Sequence, residues 1–312
     1  MSEVTAFAPA TVSNVAVGFD ILGFAVRGIG EFATVKKIPA AHVRIDPIEG
    51  YPTLPTDPNK NTATAGLVRL IKDKNLNFGF HVRLEKSIPV GSGLGGSATS
   101  AVAALIAANS HLKKKLSREE LLEYAMIGEE IASKSRHADN IGPCIAGGLV
   151  FVGHGGKFKM QKIKAPTSLT CVILLPDASI NTSESRAALL PLVPLERVVE
   201  QTSNLAGFIL GCQTGNYELI KTHLRDVIVE PQRAKQIPSF KALQAAAVEA
   251  GALGCSISGS GPAIFALTHN ASIAKKVHAA MAHAAKSAGL KVRGSWVSPV
   301  SEKGAHVVKR KK

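Results

Sequence analysis

The chain has 312 residues, enough for two ordinary domains and at least one sizeable core. Hydrophobic residues make up 46% and charged residues 19%, which excludes a disordered chain, and at 5% the aromatic content is thin for a single-strand nucleic-acid binder that stacks bases. A formal net charge of +14 attracts anions, nucleotide phosphates and RNA alike, although part of it is the closing stretch VVKRKK and a small knot at Lys113, Lys114 and Lys115.

In chain order, Val4 to Val35 mixes short apolar runs with Gly18, Gly23, Gly28 and Gly30, a pattern of strands joined by tight turns. FHVRLEK alternates around Val82 and Leu84 and reads as a strand that stops at SIPVGSGLGG, where Pro89 and the glycines forbid regular pairing. A helix begins near Ser97 and is apolar nearly all round, so it is expected to be buried. A second helix opens at Ser117 with Glu120 three residues on, a capping box. IAGGLVFVGHGGKFK reads as a hairpin, and a further strand ends at Pro176. Gly155, Gly156 and Pro166 mark residues 155–167 as the boundary, which divides the chain into 1–160 and 161–312. The second half is helix-rich. It then gives two strands around a Gly-Pro turn, a helix from Ile273 to Ala288 and a strand from Lys291 to Val297. Helices alternating with hairpins predict two α+β sandwiches.

The cysteines Cys144, Cys171, Cys212 and Cys255 lie far apart without C-x-x-C spacing, so they read as buried free thiols in a reducing compartment and not as a metal cage. MSEVTAFAPA lacks a basic region followed by an apolar one, and no run is long enough to span a bilayer. The expectation is a cytoplasmic protein with no membrane partner.

The loop GSGLGGSATS carries the chemistry. Gly91, Gly93 and Gly96 spell G-x-G-x-x-G, yet Pro89 breaks the strand before them and no acidic residue ends a second strand about 20 residues later, so a dinucleotide fold is discounted. Ser97 stands where a P-loop needs lysine, and a helix follows where a protein-kinase glycine loop would continue as a hairpin. Two readings remain. Glycine amides and the following helix dipole can form an anion nest, with Ser97 offering a hydroxyl to phosphate or Mg²⁺; alternatively Ser97 simply caps a glycine-rich turn. On the Ser117 helix, Leu122, Ala125, Met126 and Glu129 share one face, so Glu129 points inward with the apolar stripe while Glu130 lies toward its edge. A buried carboxylate needs a cation: Mg²⁺ shared with Ser97, or a basic side chain.

PVGSGLGGSA resembles the phosphate loop of the GHMP kinases, FAPATVSNVAVGFDILG the N-terminal motif of homoserine kinases, HADNIGPCIAGG their central substrate motif, and GCSISGSGPAIFAL the C-terminal glycine motif of the superfamily. IVEPQRAKQIPSF and KGAHVV also look like homoserine kinase, so the resemblance covers the chain from Val4 to Val308. It implies a two-domain α+β fold, with a ribosomal-protein-like N-terminal nucleotide domain and a ferredoxin-like C-terminal α/β sandwich. It also implies a homodimer, ATP and Mg²⁺ as cofactors, and phosphorylation of L-homoserine in threonine biosynthesis; the thin aromatic content and scattered charge give the separate expectation of no nucleic-acid partner.

The resemblance assigns the phosphates to Gly91, Ser92, Gly93, Leu94, Gly95, Gly96, Ser97 and Ala98, approached by Gly259 and Ser260, and the metal to Ser97 and Glu129. It sets adenine near Asn61, Thr62, Pro89 and Val90, where PNKNTATAG also reads as an ordinary loop and helix start. Arg186 and Arg233 fall on the homoserine carboxylate and Asp20 on its ammonium, with Asn14 and His137 completing the cradle. Asn140 would contact the reacting hydroxyl with no dedicated base, and Asp139 as base is the rival.

The sequence departs from the family twice: Ala16-Val17 replace the usual Gly-Pro before Gly18-Phe19-Asp20, and Gly96 replaces a serine. A kinase for mevalonate or a sugar, a basic RNA-binding module and an inactive ligand sensor are the alternatives.

Overall fold

The computed structural model describes residues 3–133, 136–153 and 159–309. Gly155 and Gly156 of the expected boundary, and the basic tail beyond Lys309, lie outside the described residues.

The first half comprises β1 (Glu3–Ser13), β2 (Leu22–Ile38), β3 (Val43–Ile45), α1 (Thr62–Asp73), β4 (Gly79–Glu85), α2 (Gly96–Asn109), α3 (Arg118–Ser133), α4 (Ile141–Ala146), β5 (Leu149–Gly153) and β6 (Lys159–Ile163). The second comprises β7 (Thr170–Pro176), α5 (Thr182–Ala187), α6 (Leu195–Thr214), α7 (Tyr217–His223), α8 (Glu230–Arg233), α9 (Phe240–Glu249), β8 (Gly254–Ile257), β9 (Ile264–Thr268), α10 (Ala271–Ser287), β10 (Val292–Pro299) and β11 (His306–Val308). Strands run β11-β1-β2-β4-β3 in the first sheet, where β5 joins β2 to β6, and β10-β7-β9-β8 in the second. The first sheet therefore continues to Ile163 and takes back β11, whose Val308 pairs with Thr5.

The tight turns expected at Gly23, Gly28 and Gly30 do not form, because all three lie inside the 17-residue strand β2. The register against β1 slips between Pro9 and Thr11, and Gly28 takes φ 79°, so the flexible residues bend a long strand where turns were expected to end a short one. Only Gly18 sits in a true turn, the connection from β1 to β2, where its amide bonds to the Asn14 carbonyl. This connection is strained: Asn14, Val15 and Ala16 have φ of 65°, 47° and 57°. Asn tolerates that region, but a β-branched valine and an alanine do not.

Three apolar clusters hold the layers. In the first, Ala6, Ala8, Ala33 and Val35 of the central strand pair meet α2, whose alanines allow close approach and leave it buried on nearly every side. The capping box at the start of α3 forms as expected, with the Ser117 amide on Glu120 at 2.9 Å and the Glu120 amide on Ser117 Oγ at 3.2 Å. In the second sheet, period-two alternation sends Val172 and Leu174 toward α9 and α10, and Cys171, Ile173 and Leu175 toward the first half. There they join Val12, Phe24, Phe208 and Phe265, with the Phe24 and Phe265 rings edge to face at 6.0 Å. The hairpin expected from Ile145 begins later: Ile145 and Ala146 finish α4, and β5 starts at Leu149. All four cysteines are free and buried. Among the described residues, no helix is long and apolar enough to cross a membrane.

Candidate active site

The loop between β4 and α2 forms one wall of a cavity of about 530 Å³ between the halves. Gly91, Gly93 and Gly95 take φ of 69°, 80° and 70°, which glycine adopts without cost. Space also demands glycine: a Cβ on Gly93 would collide with the Ser258 carbonyl oxygen, and one on Gly95 with Thr11 Oγ1. The loop carbonyls are tied outward. Ser258 Oγ donates to Gly93 O at 2.6 Å, the Ala263 amide to Ser92 O at 3.1 Å and the Thr11 amide to Leu94 O at 3.2 Å. Among the described residues, the amides of residues 91–95 meet no acceptor. The first turn of α2 adds its own unsatisfied amides and positive dipole end. Gly259 and Ser260 both line the cavity, and a Cβ on Gly259 would stand 3.5 Å from the Gly93 carbonyl oxygen.

Leu94 and Ala98 do not line the cavity, because their side chains belong to the second and first cores. Gly96 opens α2, where an added Cβ would stand 3.3 Å from Ile88 Cγ2. Pro89, Val90, Asn61 and Thr62 all line the cavity, beside Ile48, Leu54 and Leu84. Asn61 is also the N-cap of α1: its Oδ1 accepts from Ala63 at 2.9 Å and its Nδ2 donates to the Pro55 carbonyl at 2.7 Å.

Under the loop lies a group that the sequence reading missed. Lys86 Nζ donates to Glu31 Oε1 at 2.8 Å, to Ser100 Oγ at 3.0 Å and to the Gly96 carbonyl at 3.4 Å. Ser100 Oγ in turn donates to Glu31 Oε2 at 2.6 Å. The side chains of Lys86 and Glu31 are 5% and 1% exposed, and Lys86 borders the cavity. The signal was present in the alternation of β2, since Glu31 shares a face with the core residues Ala33 and Val35.

At the far end, α3 turns Glu129 inward beside Leu122, Ala125 and Met126, whereas Glu130 is 41% exposed and pairs with Arg136 at 2.9 Å. Beside Glu129 stands an imidazole: His137 Nδ1 is 3.8 Å from Glu129 Oε1 and 3.5 Å from Asp139 Oδ1. Burial alone would lower the His137 pKa, but Asp139, Glu129 and Asp20 outweigh it and raise it to about 9. Asn140 is clamped: Thr11 Oγ1 donates to its Oδ1 at 2.7 Å, and its Nδ2 donates to Ser13 Oγ at 3.0 Å. Asn14 Nδ2 bonds to the Gly259 carbonyl at 2.9 Å, and its Oδ1 accepts the Asp20 amide at 3.0 Å.

Asp20 and Arg186 meet each other directly, with Arg186 Nη2 2.6 and 2.7 Å from the two Asp20 oxygens. Arg233, buried in α8, donates Nη1 to Gly259 O at 3.0 Å. Burial, and then the neighbouring Arg186, lower its pKa, opposed by Asp20, Asp226 and Asp139. Each arginine has a buried Nε without a partner among the described residues. One cavity thus brings together an amide nest, an inward acid, a fixed amide and two guanidinium groups.

Comparison with known proteins bears on the family. Residues 61–148 match the GHMP kinases N terminal domain, and residues 208–287 match the GHMP kinases C terminal. A homoserine kinase of Xylella fastidiosa is 42% identical over 98% of this chain and 94% of its own length. The crystal structure of homoserine kinase from Cytophaga hutchinsonii superposes with a TM-score of 0.94 at 38% identity, covering 99% of this chain and 98% of that one. A crystal structure of L. major mevalonate kinase in complex with R-mevalonate shares the fold, with a TM-score of 0.71 at 15% identity over 97% of each chain. Sequence and fold agree along essentially the whole length, and the chain belongs to the homoserine kinases, within the GHMP kinase family.

Proposed function

We propose that this cavity transfers the γ-phosphoryl group of ATP to the side-chain hydroxyl of L-homoserine, giving O-phospho-L-homoserine and ADP. The observation that carries the reading is the loop at 91–95, where the carbonyls of Ser92, Gly93 and Leu94 are tied away and the amides meet no acceptor among the described residues, facing the two arginines across one cavity. Such a nest suits a polyphosphate, and a neutral sugar would need no guanidinium pair. In the proposed division of labour, residues 1–160 hold the nucleotide and, through Asp20 and Asn140, share the amino acid with Arg186 and Arg233 of residues 161–312.

Adenine enters the slot lined by Ile48, Leu54, Leu84 and Val90, next to Asn61, Thr62 and Pro89. The Asn61 side chain is already spent on its cap and on Pro55, so Asn61 shapes that slot more than it reads the base. The homoserine carboxylate lies against Arg186 and Arg233, and the ammonium takes Asp20, which it shares with Arg186. The homoserine oxygen attacks the γ-phosphorus as the bond to the β–γ bridging oxygen breaks, and alignment with charge stabilisation does most of the work. Asn140, fixed by Thr11 and Ser13, orients that hydroxyl, and its proton passes to the transferred phosphate because an amide cannot accept it. Asp139 Oδ1 stands 3.5 Å from His137 Nδ1 and has no hydrogen-bond partner among the described residues, so Asp139 is the rival base.

Ser97 and Glu129 both line the cavity and offer the hard oxygen donors that suit Mg²⁺. Magnesium takes one or two protein oxygens plus phosphates and water, so it needs no three-residue cage, and none occurs among the described residues. When bound, it would supply charge neutralisation at the phosphates. We also propose a homodimer that binds no RNA.

A coupled ADP-release assay over homoserine, mevalonate, galactose and threonine tests the reading. Turnover should be confined to homoserine, and absence of turnover with homoserine ends it. Ser97→Ala and Glu129→Gln should each lose most turnover, and Glu129→Gln should raise the magnesium requirement. A basic RNA-binding module would ignore both changes.

A further inference from the structure

We propose that Phe19 is a positioning residue for the substrate carboxylate, its ring holding the Arg186 and Arg233 guanidinium groups together while satisfying none of their N–H donors. The inference rests on the reading that these two arginines receive that carboxylate. Both guanidinium carbons stand over the Phe19 ring, each 5.2 Å from its centre. Phe19 lies in the strained connection after Ser13, next to Asp20, and does not itself line the cavity. It therefore acts through its neighbours and not on the ligand.

The physical problem is the juxtaposition of two cations. Arg233 is buried in α8, Arg186 comes from α5, and like charges at close quarters repel. A second carboxylate would hold them, but it would also occupy the donors that the substrate needs. Asp20 already takes Nη2 of Arg186, and Gly259 O takes Nη1 of Arg233. An aromatic face stabilises positive charge through its quadrupole and accepts no conventional hydrogen bond. The charge is steadied, and the remaining N–H edges stay available for a bidentate carboxylate.

Two cation–π contacts of ordinary strength correspond to about a tenfold effect on affinity. Phe19→Leu should raise KM for homoserine by about tenfold while leaving KM for ATP within about twofold, and Phe19→Tyr, which keeps the ring, should restore it. Because Phe19→Leu can also weaken folding, a second series incorporates mono-, di- and trifluorophenylalanine at position 19. These substitutions keep the shape and drain the ring's negative face. KM for homoserine should climb with each fluorine at constant melting temperature, and a flat series overturns the proposal.

A parallel arm uses 3-aminopropan-1-ol, which is homoserine without its carboxylate. Wild type should strongly prefer homoserine, and the penalty of Phe19→Leu should vanish on the truncated alcohol. If wild type uses both alcohols equally well, the arginine reading fails and takes the Phe19 proposal with it. If wild type discriminates but Phe19→Leu does not alter KM, only the Phe19 proposal fails.

Discussion

Replacing Glu31 by glutamine perturbs the loop support most sharply. In the native protein the Lys86 ammonium has three hydrogen-bond partners: Glu31 at 2.8 Å, Ser100 at 3.0 Å and the Gly96 carbonyl at 3.4 Å. With Glu31→Gln the charge stays buried, at 5% side-chain exposure, against neutral acceptors alone. Breaking one side of a buried ion pair costs about 3–5 kcal/mol, which corresponds to a fall in Tm on the order of 10 °C. Lys86→Met should cost a similar amount, because it leaves a carboxylate that is 1% exposed with only the Ser100 hydroxyl as a described donor. The double variant removes both charges and should be more stable than the sum of the single losses by about 2 kcal/mol or more. Urea unfolding of the four proteins closes the cycle, and KM for ATP reports on the loop above. A Glu31→Gln loss below about 1 kcal/mol, or single effects that add to within about 0.5 kcal/mol, would refute the reasoning.

Ala16→Gly restores glycine where φ is 57° and should raise stability by about 1 kcal/mol in the same unfolding assay. Thr11→Val keeps the shape but removes the 2.7 Å donor to Asn140 Oδ1; kcat should fall about tenfold, while stability drops by only about 1 kcal/mol. His137 has its pKa raised from 6.5 to about 9. A raised folded-state value means that its stabilisation is complete below pH 6.5 and lost as pH rises through 9. Melts in magnesium-free buffer should therefore show up to about 3 kcal/mol disappearing across that window, and His137→Asn should flatten the profile.

Features whose physics is local in the chain could be read from the sequence. The glycine loop, the capping box at Ser117 and Glu120, and the inward face of Glu129 each depend on residues a few positions apart, and each appears in the structure. What long-range pairing decides was not legible. Lys86 finds Glu31 only because β4 lies beside β2 with Glu85 opposite Phe32, and Asn140 finds Thr11 and Ser13 across more than a hundred residues. Glycines misled where their freedom was read as turns: in β2 they serve a bend and a close approach to β1 instead. Asp20 and Arg186 were assigned to opposite ends of one amino acid, and nothing in their separate motifs announced that they touch.

β11 closes against β1, with His306 opposite Phe7 and Val308 opposite Thr5. A ribosome delivers β1 well before β11. Throughout synthesis the nascent N-terminal sheet therefore carries a raw strand edge, the kind of surface on which partly made chains stick to one another. That partner emerges only after the entire C-terminal half, so completion of one half is conditional on translation of the other. Shortening the chain before His306 would leave this seam permanently open and expose the protein to self-association rather than simple loss of turnover.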